Sequence, residues 1–386
     1  MSGASVVIIG AGVMGASVAY HLATRGWRDI LILDRSSGPG QGSTGAATGG
    51  FRAQFGTPIN IRLSLLARQK LLRFQEEVGA DPGYVQAGYL WLATSKDELD
   101  LLRQGLRVQQ AEGLHEAREV NAADIAGLNP ALRHDLVFGG VFCPTDGFIA
   151  PRQILNGYLN AAQRLGAQVQ WGSEVVQVKH RNGRIASVGT TRGHIETDAV
   201  VNAAGAWAGV IGKLVGVSLP VTPLRRQVAA TIPCALLPAG MPMTIFAGDG
   251  FHFRVRDGRV LLLWPSPGAL DSPFDIRLDA DWIATVAGMA RERVPALRDV
   301  PIDRAASWAG LYEMSPDKHA ILGRAPGCDN MYLINGSSGH GVMHAPALGA
   351  LLSELISEGT FSSLEVDALR PERFAAGAMN PVSGLL

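Results

Sequence analysis

The sequence predicts an α/β fold in which a doubly wound, largely parallel sheet is interrupted by an inserted antiparallel β-sheet domain. Three observations predict it. Residues 5–9 form a short β-branched run, GAGVMG follows, then the helical pattern ASVAYHLATRG, then a second apolar run at 30–33: one βαβ unit. The same order of strand, glycine turn and helix returns near the other end, in MYLINGSSGHGVMHAPALGALLSELI. Between them, residues 220–300 are proline-punctuated and β-rich, with VAATI, FHFRVR and RVLLLW as strands.

The first unit carries the sharpest local signal. Gly10 permits a tight turn, Gly12 lets the backbone approach a pyrophosphate, and Gly15 allows the helix to pack against the strand. The N–H groups at the helix start, around Val13 and Met14, then face the anion. A lone glycine motif of this kind is weak, and a chance glycine turn is the alternative. Here it lies between strand and helix, and Asp34 ends the second strand about twenty residues on, where an acid accepts ribose hydroxyls. That acid also argues against a 2′-phosphate.

The motif alone does not choose between NAD and FAD. The loop GQGSTGAATGGFRAQFG offers small residues, Gly42, Ser43, Thr44, Ala47, Gly49 and Gly50, past which a flat ring system fits; an ordinary surface loop is the alternative. In the middle of the chain ILNGYLNAAQRLGA reads as a helix. The strand VQWGSEVVQVKH follows, with Val175 and Val176 as candidate contacts. DAVVNAAGAWA then runs into Ala203, Ala204, Gly205 and Trp207, a second close-approach site or simply a tight strand-to-helix turn. The last glycine loop supplies Gly339, His340, Gly341, Val342 and Met343 at the start of a helix near Val342. A helix N-terminus carries about half a positive charge, which suits the N1–C2=O edge of a flavin and so favours FAD. A helix cap with a surface histidine is the plain alternative.

Composition excludes other classes. The 386 residues hold 34 Lys plus Arg against 34 Asp plus Glu, so no net field draws the chain to nucleic acid or an anionic membrane. Cys143, Cys234 and Cys328 form no CxxC pair, and no histidine cluster has metal-ligand spacing. The apolar N-terminal run lacks a basic flank, no stretch suits a membrane span, and a cytoplasmic location is the expectation.

Taken in order, GAGVMG with Asp34-Arg35, GSTGAATGGFRAQFG, VVNAAGAWA, LYEMSPDKHAILG and SGHGVMHAP resemble the D-amino-acid-oxidase-like flavoprotein superfamily. The resemblance spans nearly the whole chain. It is closest to the group containing sarcosine oxidase β subunits and the β subunit of dye-linked L-proline dehydrogenase. It implies a Rossmann-like FAD-binding domain in three pieces, 1–85, 151–219 and 310–386, and an inserted substrate domain in two, 86–150 and 220–309. It also implies hydride transfer from an amino acid or N-alkyl amino acid to flavin N5, giving an imine. Arg35 joins the cofactor contacts. Arg52, beside the flavin in relatives, would hold the substrate carboxylate or polarise N5, or else form a structural ion pair.

The chain departs from the pattern in places. Monomeric sarcosine oxidases attach FAD through a cysteine just before the Leu-Tyr pair; this chain has Gly310, which implies non-covalent FAD. Their carboxylate-gripping lysine aligns with Met343, and their oxygen-activating lysine with Val260, which implies a dye- or quinone-type acceptor rather than oxygen. Arg225, Arg226, His252, Arg254 and Tyr312 are candidates to replace the carboxylate clamp, and His252 or His340 to influence amine deprotonation. The expected substrate is a small amino acid, sarcosine- or proline-like. A flavin-dependent 2-hydroxy acid or glycerol phosphate dehydrogenase is the alternative on the same fold, and a flavin-binding subunit working with partner subunits is another.

Overall fold

The computed structural model describes residues 3–181, 183–265 and 272–382. Its first sheet has the order Ile321–Arg324, Met331–Asn335, Gly193–Asn202, Gly3–Ile9, Ile30–Leu33, Gln168–Gln170. The last five run parallel, and Ile321–Arg324 is antiparallel to its neighbour. The hairpin of Val175–Arg181 and Arg184–Thr190 extends from Gly193–Asn202 across one face. Helices Val13–Thr24, Pro151–Arg164 and Gly341–Glu358 cover the other face. Because both faces are covered, the central strands read as unbroken apolar runs rather than alternating ones.

The second sheet runs Ile302–Met314, Thr222–Thr231, Arg259–Leu263, His252–Arg256, Met243–Phe246, Tyr89–Ala93, Gly139–Cys143, Arg118–Val120. It departs from the expected antiparallel sheet at one seam, where Met243–Phe246 pairs parallel with Tyr89–Ala93. These strands come from separate insertions with no hairpin between them, so nothing in the connection demands antiparallel pairing. Ile302–Met314 is a single strand paired along Thr222–Thr231, so it runs through residue 310, where the sequence reading divides two segments.

Two helices converge where the sheets meet. Ser17 Oγ donates to Ala345 O at 2.8 Å, and a Cβ on Gly349 would lie 2.1 Å from Ser17 Oγ, so Val13–Thr24 and Gly341–Glu358 cross at backbone distance. Their N-termini therefore open side by side. Among the described residues no helix is long and apolar enough to cross a membrane, and no His, Cys, Asp and Glu group is placed to hold a metal.

Candidate active site

A cavity of about 1020 Å3 lies between the two sheets and receives both helix N-termini. At its first end Gly10 has φ +108°, and a Cβ there would stand 2.4 Å from Ala203 O; a Cβ on Gly15 would stand 2.0 Å from Gly10 O. Gly15 therefore acts through packing and does not line the cavity. The space over Gly12 is open apart from Thr44 Oγ1 at 3.5 Å, and that hydroxyl accepts the Val13 N–H at 3.1 Å. Asp34 accepts from Ala11 N–H (2.7 Å) with one carboxylate oxygen, and from Ser36 N–H (2.8 Å) and Ser36 Oγ (2.5 Å) with the other. The acid expected to meet a ribose thus also braces the glycine loop.

Further along this end, Arg35 lies 3.8 Å over the Trp207 ring, which stacks on Phe274 at 5.0 Å. Val175, Ala203, Ala204 and Gly205 line the cavity, as does Ser173, whose buried hydroxyl has no partner. Val176 does not: strand alternation leaves it 52% exposed on the outer side.

The loop of small residues crosses to the second end. Ser43 Oγ donates to Leu311 O, and Trp308 Nε1 to Ala46 O, both at 2.7 Å. Gly42, Ala47, Gly49 and Gly50 line the wall, and the Tyr89 hydroxyl presses on Gly50. A Cβ on Gly310 would meet Ala46 Cβ at 2.8 Å, so this position excludes a cysteine by contact as well as by identity. An elongated cavity with two helix N-termini, an open Gly12, an acid at the expected place and an orphaned hydroxyl fits FAD.

Side chains gather at the second end. Arg52 is buried; Nη1 donates to Gln54 O (2.6 Å), Nη2 to His340 Nε2 (3.3 Å), and its guanidinium lies 4.0 Å over Phe55. Burial lowers its pKa to about 10, opposed by Tyr89 and Asp146, so it stays a cation at neutral pH. Asp146 supports this loop, accepting from Ala53 N–H (2.8 Å) and Gln54 N–H (3.4 Å). Because arginine only donates, His340 Nε2 is an acceptor, and burial with the charge of Arg52 holds the ring neutral. Gly339, Gly341, Val342 and Met343 line the cavity beside it.

His252 also lines the cavity, and its Nδ1 lies 2.8 Å from Gly250 O, which places the proton on Nδ1 and the lone pair on Nε2. Burial brings its pKa down to about 4. Tyr312 packs against Gly339, with Arg226 5.7 Å from its ring. Arg226 lines the cavity and has no carboxylate partner among the described residues; its one hydrogen bond there is to Arg225 O at 3.4 Å.

Two other clamp candidates fall away. Arg225 points to the opposite face, to Arg277 O (2.9 Å) and Asp275 (3.6 Å). Arg254 is buried over Phe148 and ties down Thr48 O at 2.8 Å, a structural brace for the small-residue loop. Val260 is likewise misplaced as a residue of this site. It packs with Phe253 and Trp282 on the far face of the sheet, while Leu263 is the residue of its strand that lines the cavity. Tyr89, Met243, Ile245 and Glu313 line the cavity without having stood out in the sequence. Tyr89 lies in GYLWLA, whose every residue from 89 to 93 is buried, so alternation carried no signal there.

The profile of the DAO family, described as FAD dependent oxidoreductase, matches residues 5–355. Mitochondrial dimethylglycine dehydrogenase of Rattus norvegicus is 30% identical over 95% of the chain, which spans 45% of that protein. Glycine oxidase of Geobacillus kaustophilus is 27% identical, covering 91% of this chain and 92% of its own. The crystal structure of L-proline dehydrogenase from P. horikoshii superposes with a TM-score of 0.90 at 27% identity, covering 98% of this chain and 100% of that one.

Proposed function

From the premise that the chain belongs to the DAO family of FAD dependent oxidoreductases, we propose that it oxidises a secondary or N-alkyl amino acid, sarcosine- or proline-like, to the imine. The observation that carries this reading is Arg226, a cation lining the cavity with no acidic partner among the described residues. A planar guanidinium in that state matches a substrate carboxylate, and Tyr312 beside it offers a hydroxyl to the same group. Relatives named for dimethylglycine, glycine and L-proline share a carboxylate next to an amine, which supports the same class.

Bound FAD would supply the two-electron acceptor, taking hydride from the substrate carbon. The residues then have distinct tasks. Gly10 to Val13, Asp34 and the Ser173 hydroxyl would hold the adenosine and pyrophosphate end. Arg226 and Tyr312 orient the carboxylate. Arg52, pinned by Gln54 O and His340, adds fixed positive charge at the ring end. His252 holds its own proton at Nδ1, so Nε2 can accept a hydrogen bond from the amine and position it, while the low proton affinity of the buried ring favours the neutral amine that reacts. Tyr89, Met243 and Ile245 wall the site with buried surface and exclude water.

For the acceptor the proposal is a dye- or quinone-type carrier, with partner subunits as one route for the electrons. The strand from which the family resemblance implies an oxygen-activating lysine presents apolar Leu263 to the cavity. The test is anaerobic mixing of holoenzyme with N-methyl and cyclic amino acids, with 2-hydroxy acids and glycerol phosphate as the rival set. Bleaching of the flavin by the amino acids supports the reading; bleaching by the hydroxy compounds alone overturns it.

A further inference from the structure

Glu313 stands near the end of the strand Ile302–Met314 and lines the cavity. Its Oε1 accepts the Ser337 N–H at 3.3 Å, and its main-chain oxygen accepts the Ser338 N–H at 3.0 Å. Oε2 is sealed from solvent with no hydrogen-bond partner, as is the Ser337 hydroxyl. The loop it touches continues through His340, whose N–H donates to Ser337 O at 2.8 Å, into the N-terminus of Gly341–Glu358. In a half-buried carboxyl, an oxygen sealed from solvent without a partner is costly, and it therefore needs either a proton or a ligand.

Asp146 shows the contrast within the same protein. It is fully buried, and burial pushes it as well up to about 7, but both of its oxygens accept main-chain N–H groups, which is what a structural carboxylate requires, so the two carboxyls differ in their hydrogen bonding. Glu313 has one long bond and one empty oxygen. Pro223 stands opposite Glu313 on the paired strand, and the titratable groups on the elements that meet there are Tyr312 on its own strand, Arg226 three positions along the paired strand, Lys318 in the following turn, His340 on the loop and His344 on the helix. None forms an ion pair with it among the described residues.

We propose that Glu313 is a proton-holding residue of the redox reaction: Oε2 takes up a proton from solvent when the bound FAD gains two electrons, and returns it on reoxidation. Negative charge added to a poorly solvated cavity raises the proton affinity of a neighbouring carboxyl that lacks a counter-ion. An exposed carboxylate would remain ionised throughout. Burial, opposed by hydrogen bonding from Ser337 and Gly336, already pushes Glu313 up to about 7, so near neutral pH both of its protonation states are within reach. Extra negative charge moves it higher, and uptake occurs between about pH 7 and that raised value.

The inference depends on FAD and not on the amino-acid substrate, so the holoenzyme is reduced with dithionite or light. Proton uptake is counted with an indicator dye in weak buffer, and the flavin midpoint potential is followed from about pH 6 to 9. The expected result is that unmutated protein takes up about one proton more per two electrons than E313Q above pH 7, with a matching steeper fall of potential with pH. Glu313→Asp keeps a carboxyl with altered reach and is expected to move the pH of the break without abolishing it. Equal uptake by unmutated protein and E313Q overturns the proposal. Should E313Q lose FAD, a potential that falls with constant slope in the unmutated protein overturns it equally, and an infrared carboxylic-acid band that appears on reduction and shifts in E313D sustains it.

Discussion

Where the strand Gly3–Ile9 meets the helix Val13–Thr24, the cavity is lined by main chain: the glycine loop rests on Ala203, and Asp34 holds Ala11 N–H. At the other end it is lined by side chains from distant segments, with Arg52, Arg226, His252 and Tyr312 meeting around the loop that starts Gly341–Glu358. At Gly10 and Gly15 the first end tolerates no added atom. The second is a set of exchangeable side chains on a rigid sheet, the arrangement in which one fold changes substrate without changing cofactor.

The largest effect expected from this contrast is at Gly15. A methyl group there meets Gly10 O at 2.0 Å, backbone against backbone, and no rotamer relieves it. Gly15→Ala is expected to cost at least about 3 kcal/mol, more than about a hundredfold in FAD affinity. The flavin-to-protein absorbance ratio after gel filtration reads it, and a fully yellow variant would break the claim of a rigid first end.

Asp34→Ala removes the acceptor for Ala11 N–H together with the ribose contact, an expected loss of about 2 kcal/mol, or roughly thirtyfold in FAD affinity by titration into apoprotein. An effect of similar size is expected from acid at the second end. His344 is buried, its Nε2 lies 2.8 Å from Ser64 Oγ, and burial, helped by the charge of Arg52, lowers its pKa to about 3. Since the unfolded chain binds this proton below about pH 6.5, stability falls as pH drops from there toward 3, by about 2 kcal/mol at pH 5. His21 and His252, also lowered by burial, add to the fall, so urea unfolding at pH 7 and pH 5 should show a loss that is smaller by about this amount in His344→Gln. The smallest effect concerns the acceptor. Leu263→Lys places a cation on the cavity face and should raise the rate of oxygen reoxidation about tenfold in stopped flow, whereas an unaltered rate would remove that strand from acceptor choice.

The same contrast explains what was legible in the sequence. Gly10, Gly12, Gly15 and Asp34 answer to a local requirement, a turn, a close approach and an acid, all within one βαβ unit. The second end answers to which side of a strand faces inward, and both sides are buried. Leu261 and Leu263 pack with Val228 toward the cavity, while Val260 and Leu262 pack against Trp282, so an apolar run such as RVLLLW cannot reveal its own orientation. Val175 and Val176, and Arg225 and Arg226, are separated by the same one-residue alternation. Glu313 sits in a familiar segment, but its empty oxygen is a property of the folded loop and leaves no mark in composition.

The central claim is that the inserted sheet reads the substrate's carboxylate through Arg226. The direct measurement is the binding of a carboxylate that cannot be oxidised, such as pyrrole-2-carboxylate, to holoenzyme, followed by the change in the flavin spectrum in unmutated protein and in Arg226→Met. Losing a charge-assisted pair of hydrogen bonds predicts a Kd weaker by roughly a hundredfold, with FAD content and thermal stability retained. An unchanged Kd in a fully flavinated variant would contradict the account.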